Sequence, residues 1–346
     1  MKQKRRYTWI LAPVTMVLLI LDTKTAIFAA SDGISMCLHA IVPSLFPFIV
    51  ISSFVVQELM GQDIPFLQPI GKLCRIPKGA ESLLLIGLLG GYPVGAHCVY
   101  DSYQKGFITR ADAERMVCIC NNAGPAFILG IVGQIFSNSK AVWVLWGIHI
   151  VVTMFVGAIL PGLSSSDCTF SNVQKISFVH IVQRSVKTMA TICAWVLMFR
   201  ILIAYLDKYI LHILPQKDGV LFAGLIELAN GCLLLKNIAE ESTRFVICSV
   251  ILGFGGFSVA MQTASVTEKI GAKIYFPGKV IHGSISGILA VLFVPFVFHG
   301  TKIYVKALII FGIILLITAC QALKPAFKKG IAFSRKMVYN KKKSYI

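Results

Sequence analysis

A chain of 346 residues that is 56% hydrophobic and only 14% charged, with a mean hydropathy of +0.78, is too apolar for a water-soluble domain, in which about a quarter of residues are charged. A net charge of +18 would suit nucleic acid, but the basic residues sit in short loops and at both ends. No basic stripe with interleaved aromatics is present, which argues against nucleic-acid binding and predicts an all-α polytopic membrane protein whose first partner is the lipid bilayer.

In chain order, Met1–Arg6 is a basic leader and Thr8–Phe28 the first apolar run. A cleaved signal peptide shares that pattern, but Phe28-Ala29-Ala30-Ser31 is a poor cleavage site, and an uncleaved first helix is the expected reading. Ser31–Glu58 holds a second span with Pro43 and Pro47. Glu81–Tyr103 is one span long, but Gly90-Gly91-Tyr92-Pro93-Val94-Gly95 splits it into halves too short to cross, which predicts a re-entrant hairpin. Thr109 opens a T-x-x-D pattern that caps the next helix. That helix runs to about Phe136 and breaks at Asn121-Asn122-Ala123-Gly124-Pro125. Ala141–Leu163 is a further span, and Ser164–Lys187 is polar.

The same order then returns. Thr188–Ile210 is a span. Val220–Leu235 is short and interrupted at Glu227-Leu228-Ala229-Asn230-Gly231, a second hairpin. Phe245–Val266 breaks at Gly253-Phe254-Gly255-Gly256-Phe257-Ser258. Val280–Phe298 and Ile303–Leu323 close the series before a basic tail. The expectation is about eight transmembrane helices plus two re-entrant hairpins in two repeats. The segments are a leader with the first helix (1–30), a first repeat (31–163), a cytoplasmic linker (164–187), a second repeat (188–299), and a last helix with the tail (300–346). With both termini in the cytoplasm, 24 of the 33 lysines and arginines fall inside and seven outside, as the positive-inside rule requires. The hairpins then enter from opposite sides, so the repeat is inverted, as in many secondary transporters.

A helix broken within lipid frees backbone groups that survive only when packed in protein or lining a polar cavity. The four breaks therefore define a candidate substrate site. Its residues are Gly90, Gly91, Tyr92, Pro93 and Gly95; Asn121, Asn122, Gly124 and Pro125; Glu227, Asn230 and Gly231; and Gly255, Gly256, Ser258 and Gln262. Half-helix N-termini favour anions, and the neutral side chains suit an organic ligand with several polar atoms. Pro93 and Pro125 fit a first helical position, and Asn122 and Ser258 fit caps. The bland alternative is that these glycines only allow close helix packing.

Glu227 either binds a cation or proton or braces its hairpin through backbone N–H groups. Arg200 pairs with an acid, attracts an anion or snorkels to an interface. His97 and Asp101 share a helical face, but no third ligand has suitable spacing, so no metal is expected. His282 reads as ordinary. The ten cysteines contain no C-x-x-C and read as buried thiols. With no nucleophile elbow, Walker loop, zincin pattern or dinucleotide fingerprint, neither an enzyme nor a cofactor is expected.

The run GLLGGYPVGA, a following K-G-x-I-T turn and CNNAGPAFILGIVG, with the later GLIELANG and GFGGFSVAMQ, resembles the sporulation integral membrane protein family (YlbJ-like) over about Ile41–Val291. That family lies within the wider group carrying the nucleoside-transporter Gate domain. The resemblance implies a multi-pass cell-membrane transporter of spore-forming bacteria, linked to movement of dipicolinate across the outer forespore membrane. It makes the two repeats Gate-like and the partner a small anionic substrate. Nucleoside transport by the same fold and a non-transporting sporulation component are the alternatives. Self-association into a homo-oligomer is left open.

Overall fold

The computed structural model describes residues 16–60, 64–160, 177–268 and 272–300, together with Pro13, Gln62, Cys168 and Ile270. Among them, six helices are long and apolar enough to cross a membrane: Thr23–Leu59, Arg110–Gln134, Ser139–Ile159, Phe178–Tyr209, Glu241–Val266 and Lys273–Phe298. The chain is an all-α polytopic membrane protein.

The first long helix comprises α1 (Thr23–Met36), a π-turn over Cys37–Ile41 and α2 (Val42–Leu59). Pro43 has no N–H for the carbonyl four residues back. The helix widens just before it, and Val42 N–H bonds to Cys37 O instead. The expected division near residue 30 is absent, because Phe28–Ser31 lie inside α1 with nothing there to end a helix. The break comes earlier, at Asp22, whose non-helical backbone precedes α1, while most of the first expected span before it lies outside the described residues. The span expected at Ile303–Leu323, the basic tail and the Met1–Arg6 leader lie outside the described residues.

Two short helices form the first hairpin, α4 (Glu81–Gly90) and α5 (Val94–Gln104), after a small α3 (Gln68–Leu73). Next come α6 (Arg110–Cys120) and α7 (Pro125–Gly130), then α8 (Ser139–Ile159). Thr109 caps α6 as expected: its Oγ1 accepts from Asp112 N at 3.2 Å. The second half begins with α9 (Phe178–Tyr209), followed by α10 (Gln216–Ile226) and α11 (Leu228–Leu234) as the second hairpin. It ends with α12 (Glu241–Phe254), α13 (Gly256–Val266) and α14 (Ala272–Phe298). Long helix, hairpin, broken helix, long helix thus occurs twice. The polar linker is shorter than expected, since α9 begins at Phe178, capped by Ser177. Similarly, α14 starts eight residues before Val280.

At the centre lies α6, where every residue from Arg115 to Cys120 is buried. Hairpin α4/α5, α8 and α14 enclose it. Its one buried cation is held by backbone carbonyls through its terminal nitrogens: Arg115 donates to Arg75 O at 2.6 Å and Cys74 O at 2.7 Å. At the periphery α1 packs on α9, with apolar residues such as Ile27, Phe28 and Met198 facing outward. Two ion pairs tie these helices, Asp22–Lys208 and Asp32–Arg200, each at 2.6 Å. Of the three readings of Arg200, pairing with an acid is the one observed.

Candidate functional site

The four helix breaks meet. In the first, α4 ends at Gly90, Gly91 takes φ +66°, and a cis Tyr92–Pro93 peptide leads into α5. Pro93 is the residue before the helix rather than its first position. The arms of this hairpin touch through glycine. A Cβ on Gly95 would lie 3.0 Å from Gly87 Cα, and those added to Gly87 and Gly95 would lie 1.9 and 1.7 Å from Cys120 O. No side chain fits there, so the hairpin seats directly on the last carbonyl of α6.

In the second break α6 stops at Cys120 and Pro125 takes the first position of α7, as expected. Asn122 caps neither helix end with its oxygen: its Nδ2 donates to Ile119 O at 2.6 Å, and its Oδ1 accepts from Lys279 at 2.8 Å. Asn121 Nδ2 donates to Thr263 Oγ1 at 2.7 Å, which joins this break to α13. Gly91 and Gly124 bring the first two breaks into contact, with a Cβ on Gly91 only 2.7 Å from Gly124 N.

The third break is Glu227 alone. Its extended backbone separates α10 from α11, and its carboxylate caps α11. Oε2 accepts from Asn230 N at 2.6 Å and from Asn230 Nδ2 at 2.7 Å, while Oε1 accepts from Ser258 Oγ at 3.4 Å. Glu227 therefore braces its hairpin with one oxygen and keeps the other near the cavity described below. A carboxylate of the chain itself fills the N-terminus of α11, so that helix end is not free for a ligand. Asn230 and Gly231 lie within α11, where Gly231 packs on Gly224.

In the fourth break Gly255 and Gly256 adopt φ +83° and +84°, a left-handed pair that ends α12 and opens α13. Ser258 sits inside the first turn of α13 and is not its cap. A Cβ on Gly256 would lie 3.1 Å from Leu228 N, and one on Gly255 would lie 2.7 Å from Tyr92 Oη. The fourth break thus touches the third and, through Tyr92, the first.

Around these contacts is a cavity lined by Gly90, Gly91, Tyr92, Gly124, Glu227, Ser258 and Gln262 from the expected set. Pro93, Gly95, Asn121, Asn122, Pro125, Asn230, Gly231, Gly255 and Gly256 stand behind that wall. The rest of the lining is apolar and aromatic, with Phe48, Phe127 and Trp195 prominent. Tyr92 Oη and Gln262 Nε2 are buried with no hydrogen-bond partner among the described residues.

Sequence reading passed over Lys279 and His149 and gave His282 no role. Lys279, on α14, is fully buried and donates to Asn121 O at 2.7 Å as well as to Asn122 Oδ1. His149 accepts from Ala123 N at 3.2 Å and stacks on His282, ring centroids 4.7 Å apart. Counting Lys279 as an inside loop residue hid it, because α14 begins earlier than its apolar run. Lys279 and His282 are three apart, one helical face of a continuous segment, and that spacing was the available signal. The expected His97 and Asp101 pair instead meets Arg184, whose Nη2 lies 3.4 and 3.3 Å away. No cluster of three metal-ligating side chains occurs among the described residues.

No family model and no solved structure matches the chain. Among curated proteins it is similar to the sporulation integral membrane protein YlbJ of Bacillus subtilis (strain 168), with 25% identity over 314 residues and 76% of each chain covered. With its six long apolar helices, the chain is a multi-pass membrane protein that is similar to this sporulation protein.

Proposed function

We propose that this protein is a secondary transporter of a small organic anion, with dipicolinate as the first substrate to test, acting in sporulation. The convergence of four helix breaks on one cavity supports this reading most strongly. Broken helices within a membrane are tolerated where they line a polar site, and transporters place such sites between two repeats. The substrate class is supported by Tyr92 and Gln262, whose unmatched donors would accept a ligand rich in acceptor oxygens. The aromatic wall suits a planar ring. In this reading the two repeats are Gate-like and inverted, the termini are cytoplasmic, the membrane is the outer forespore membrane, and the protein carries no enzymatic activity.

Nucleoside transport is the second reading, and Glu227 favours it. Its Oε1, held by the long 3.4 Å bond from Ser258, would accept from sugar hydroxyls and would repel a carboxylate. The deciding experiment is counterflow of labelled dipicolinate in proteoliposomes, with nucleoside as competitor, for wild type and Tyr92→Phe. Saturable dipicolinate exchange, weakened in the variant and indifferent to nucleoside, is the expected result. Exchange of nucleoside alone would replace the substrate. Exchange of neither, in folded protein, would refute transport and favour a non-transporting sporulation component.

A further inference from the structure

Lys279 is an ammonium group deep in the protein, and among the described residues no carboxylate neutralises it. Its side chain is 1% exposed. It donates to two neutral acceptors, the Asn121 carbonyl and Asn122 Oδ1. Its Nζ lies 5.5 Å from the ring centroids of both Tyr92 and Tyr275. The titratable groups around it are Cys118 and Cys120 from α6, His149 from α8, Tyr92 from the first hairpin, and Tyr275 and His282 from its own helix. Among the described residues none of these is an acid. An intramembrane cation is costly when unpaired, and such groups usually serve function.

We propose that Lys279 is the proton-binding residue that couples proton movement to anion movement in this protein. The proposal rests on the transporter reading above. In broken-helix transporters the unwound carbonyls coordinate a sodium ion; here the unwound Asn121 carbonyl already holds the chain's own cation. A sodium site at this break is therefore occupied by Lys279. The remaining exchangeable cation is the proton on Nζ. When Nζ loses it, the proton leaves to water and the lone pair stays on nitrogen. The neutral amine keeps two N–H bonds, one for Asn121 O and one for Asn122 Oδ1, so the break stays satisfied in either form. What changes is the charge directly behind Tyr92, a wall of the cavity. An anion in the cavity supplies the missing counter-charge and favours the ammonium form, and the ammonium form in turn favours the anion. Proton and anion then bind together and cross together.

The test uses full-length protein in proteoliposomes with labelled dipicolinate. Counterflow measures exchange without coupling, and uptake is then driven either by an inward proton gradient without sodium or by an inward sodium gradient at equal pH. Wild type is expected to concentrate dipicolinate with the proton gradient alone. Lys279→Gln is expected to retain counterflow, with half-saturation raised about tenfold by loss of the nearby charge, and to lose proton-driven accumulation. Lys279→Arg keeps the positive charge but cannot release a proton, so it is expected to retain counterflow and lose proton drive. A lysine that only pins the break would give variants whose exchange and proton drive fall together. Such a fall overturns the proposal, as does wild-type accumulation driven by sodium and not by protons. Proton drive that survives Lys279→Arg but vanishes in His282→Asn moves the role to the histidine pair and also overturns it. If neither variant folds, the wild-type comparison of the two gradients decides alone. Absence of counterflow in wild type refutes the transporter reading and this inference with it; counterflow without proton drive refutes this inference only.

Discussion

Replacing Gly95 with alanine tests the seating of the first hairpin on α6. The added Cβ would lie 1.7 Å from Cys120 O and 2.7 Å from its carbonyl carbon. A carbon–oxygen contact needs about 3.3 Å, so the hairpin or the end of α6 must move by roughly 1.5 Å. The obstacle is backbone, not a side chain that can swing aside. Overpacking of this kind costs about 1–3 kcal/mol and sometimes more, and the upper end applies here. At about 2–4 °C per kcal/mol, the melting temperature should drop by roughly 5–10 °C. The assay is thermal unfolding in detergent, followed with a thiol-reactive fluorophore, because most described cysteines are buried until the protein opens. Gly147→Ala is the control, since a Cβ there has nothing within 4 Å and helix propensity favours alanine by about 1 kcal/mol. If Gly95→Ala melts together with Gly147→Ala, the close contact does not exist and the hairpin is misplaced.

Other expectations follow from single contacts. Glu227→Ala removes the cap of α11 and leaves the Asn230 side-chain amide short of an acceptor, for a loss of about 2 kcal/mol; unchanged thermal stability would count against the bracing role. Thr109→Ala should cost about 1 kcal/mol through its cap, with little change in Thr109→Ser, read from the same melts. For Asp32 and Arg200, a double-mutant cycle with Asp32→Ala and Arg200→Ala should give a coupling above about 1 kcal/mol if the pair lies in a low-dielectric layer, and zero coupling would refute the pairing. Tyr92→Phe deletes only a hydroxyl with no hydrogen-bond partner among the described residues, so it should leave the melting temperature unchanged while weakening dipicolinate exchange about tenfold. Equal exchange in both proteins would remove Tyr92 from the site.

Much of this architecture could be read from residue order because its punctuation is made of glycine and proline, whose backbone preferences act locally. Gly90 to Pro93, Asn121 to Pro125, Glu227 and Gly255-Gly256 each interrupt a helix where expected. Helix ends were less legible. Neither Phe28–Ser31 nor the start of α14 carries a strong stop, and hydropathy alone put boundaries where composition changed and the backbone did not. Within the site, polar side chains near the breaks were recognised, but their partners were not. Lys279 lies 158 positions from Asn121 and 157 from Asn122, and local pattern gives no access to contacts that only packing creates. The same limit explains why Asn122 and Ser258 read as caps, a role fixed by backbone direction more than by residue type.

The glycine contacts between the arms of each hairpin also govern how the hairpins can move. Gly87 against Gly95, and Gly224 against Gly231, press backbone to backbone with no side chain between them to deform. Each hairpin is therefore a stiff lever, and bending it at the tip would open contacts that nothing else could fill. The first has a pivot at one outer end instead. Gly106 at φ +74° follows α5 with nothing within 4 Å of where its Cβ would be, whereas Gly79 at φ +91° precedes α4 and is packed on Cys168 O. A rotation taken up at Gly106, against the fixed end at Gly79, would carry Gly91 and Tyr92 across the cavity as a unit, so the largest displacement would fall at the four-break junction.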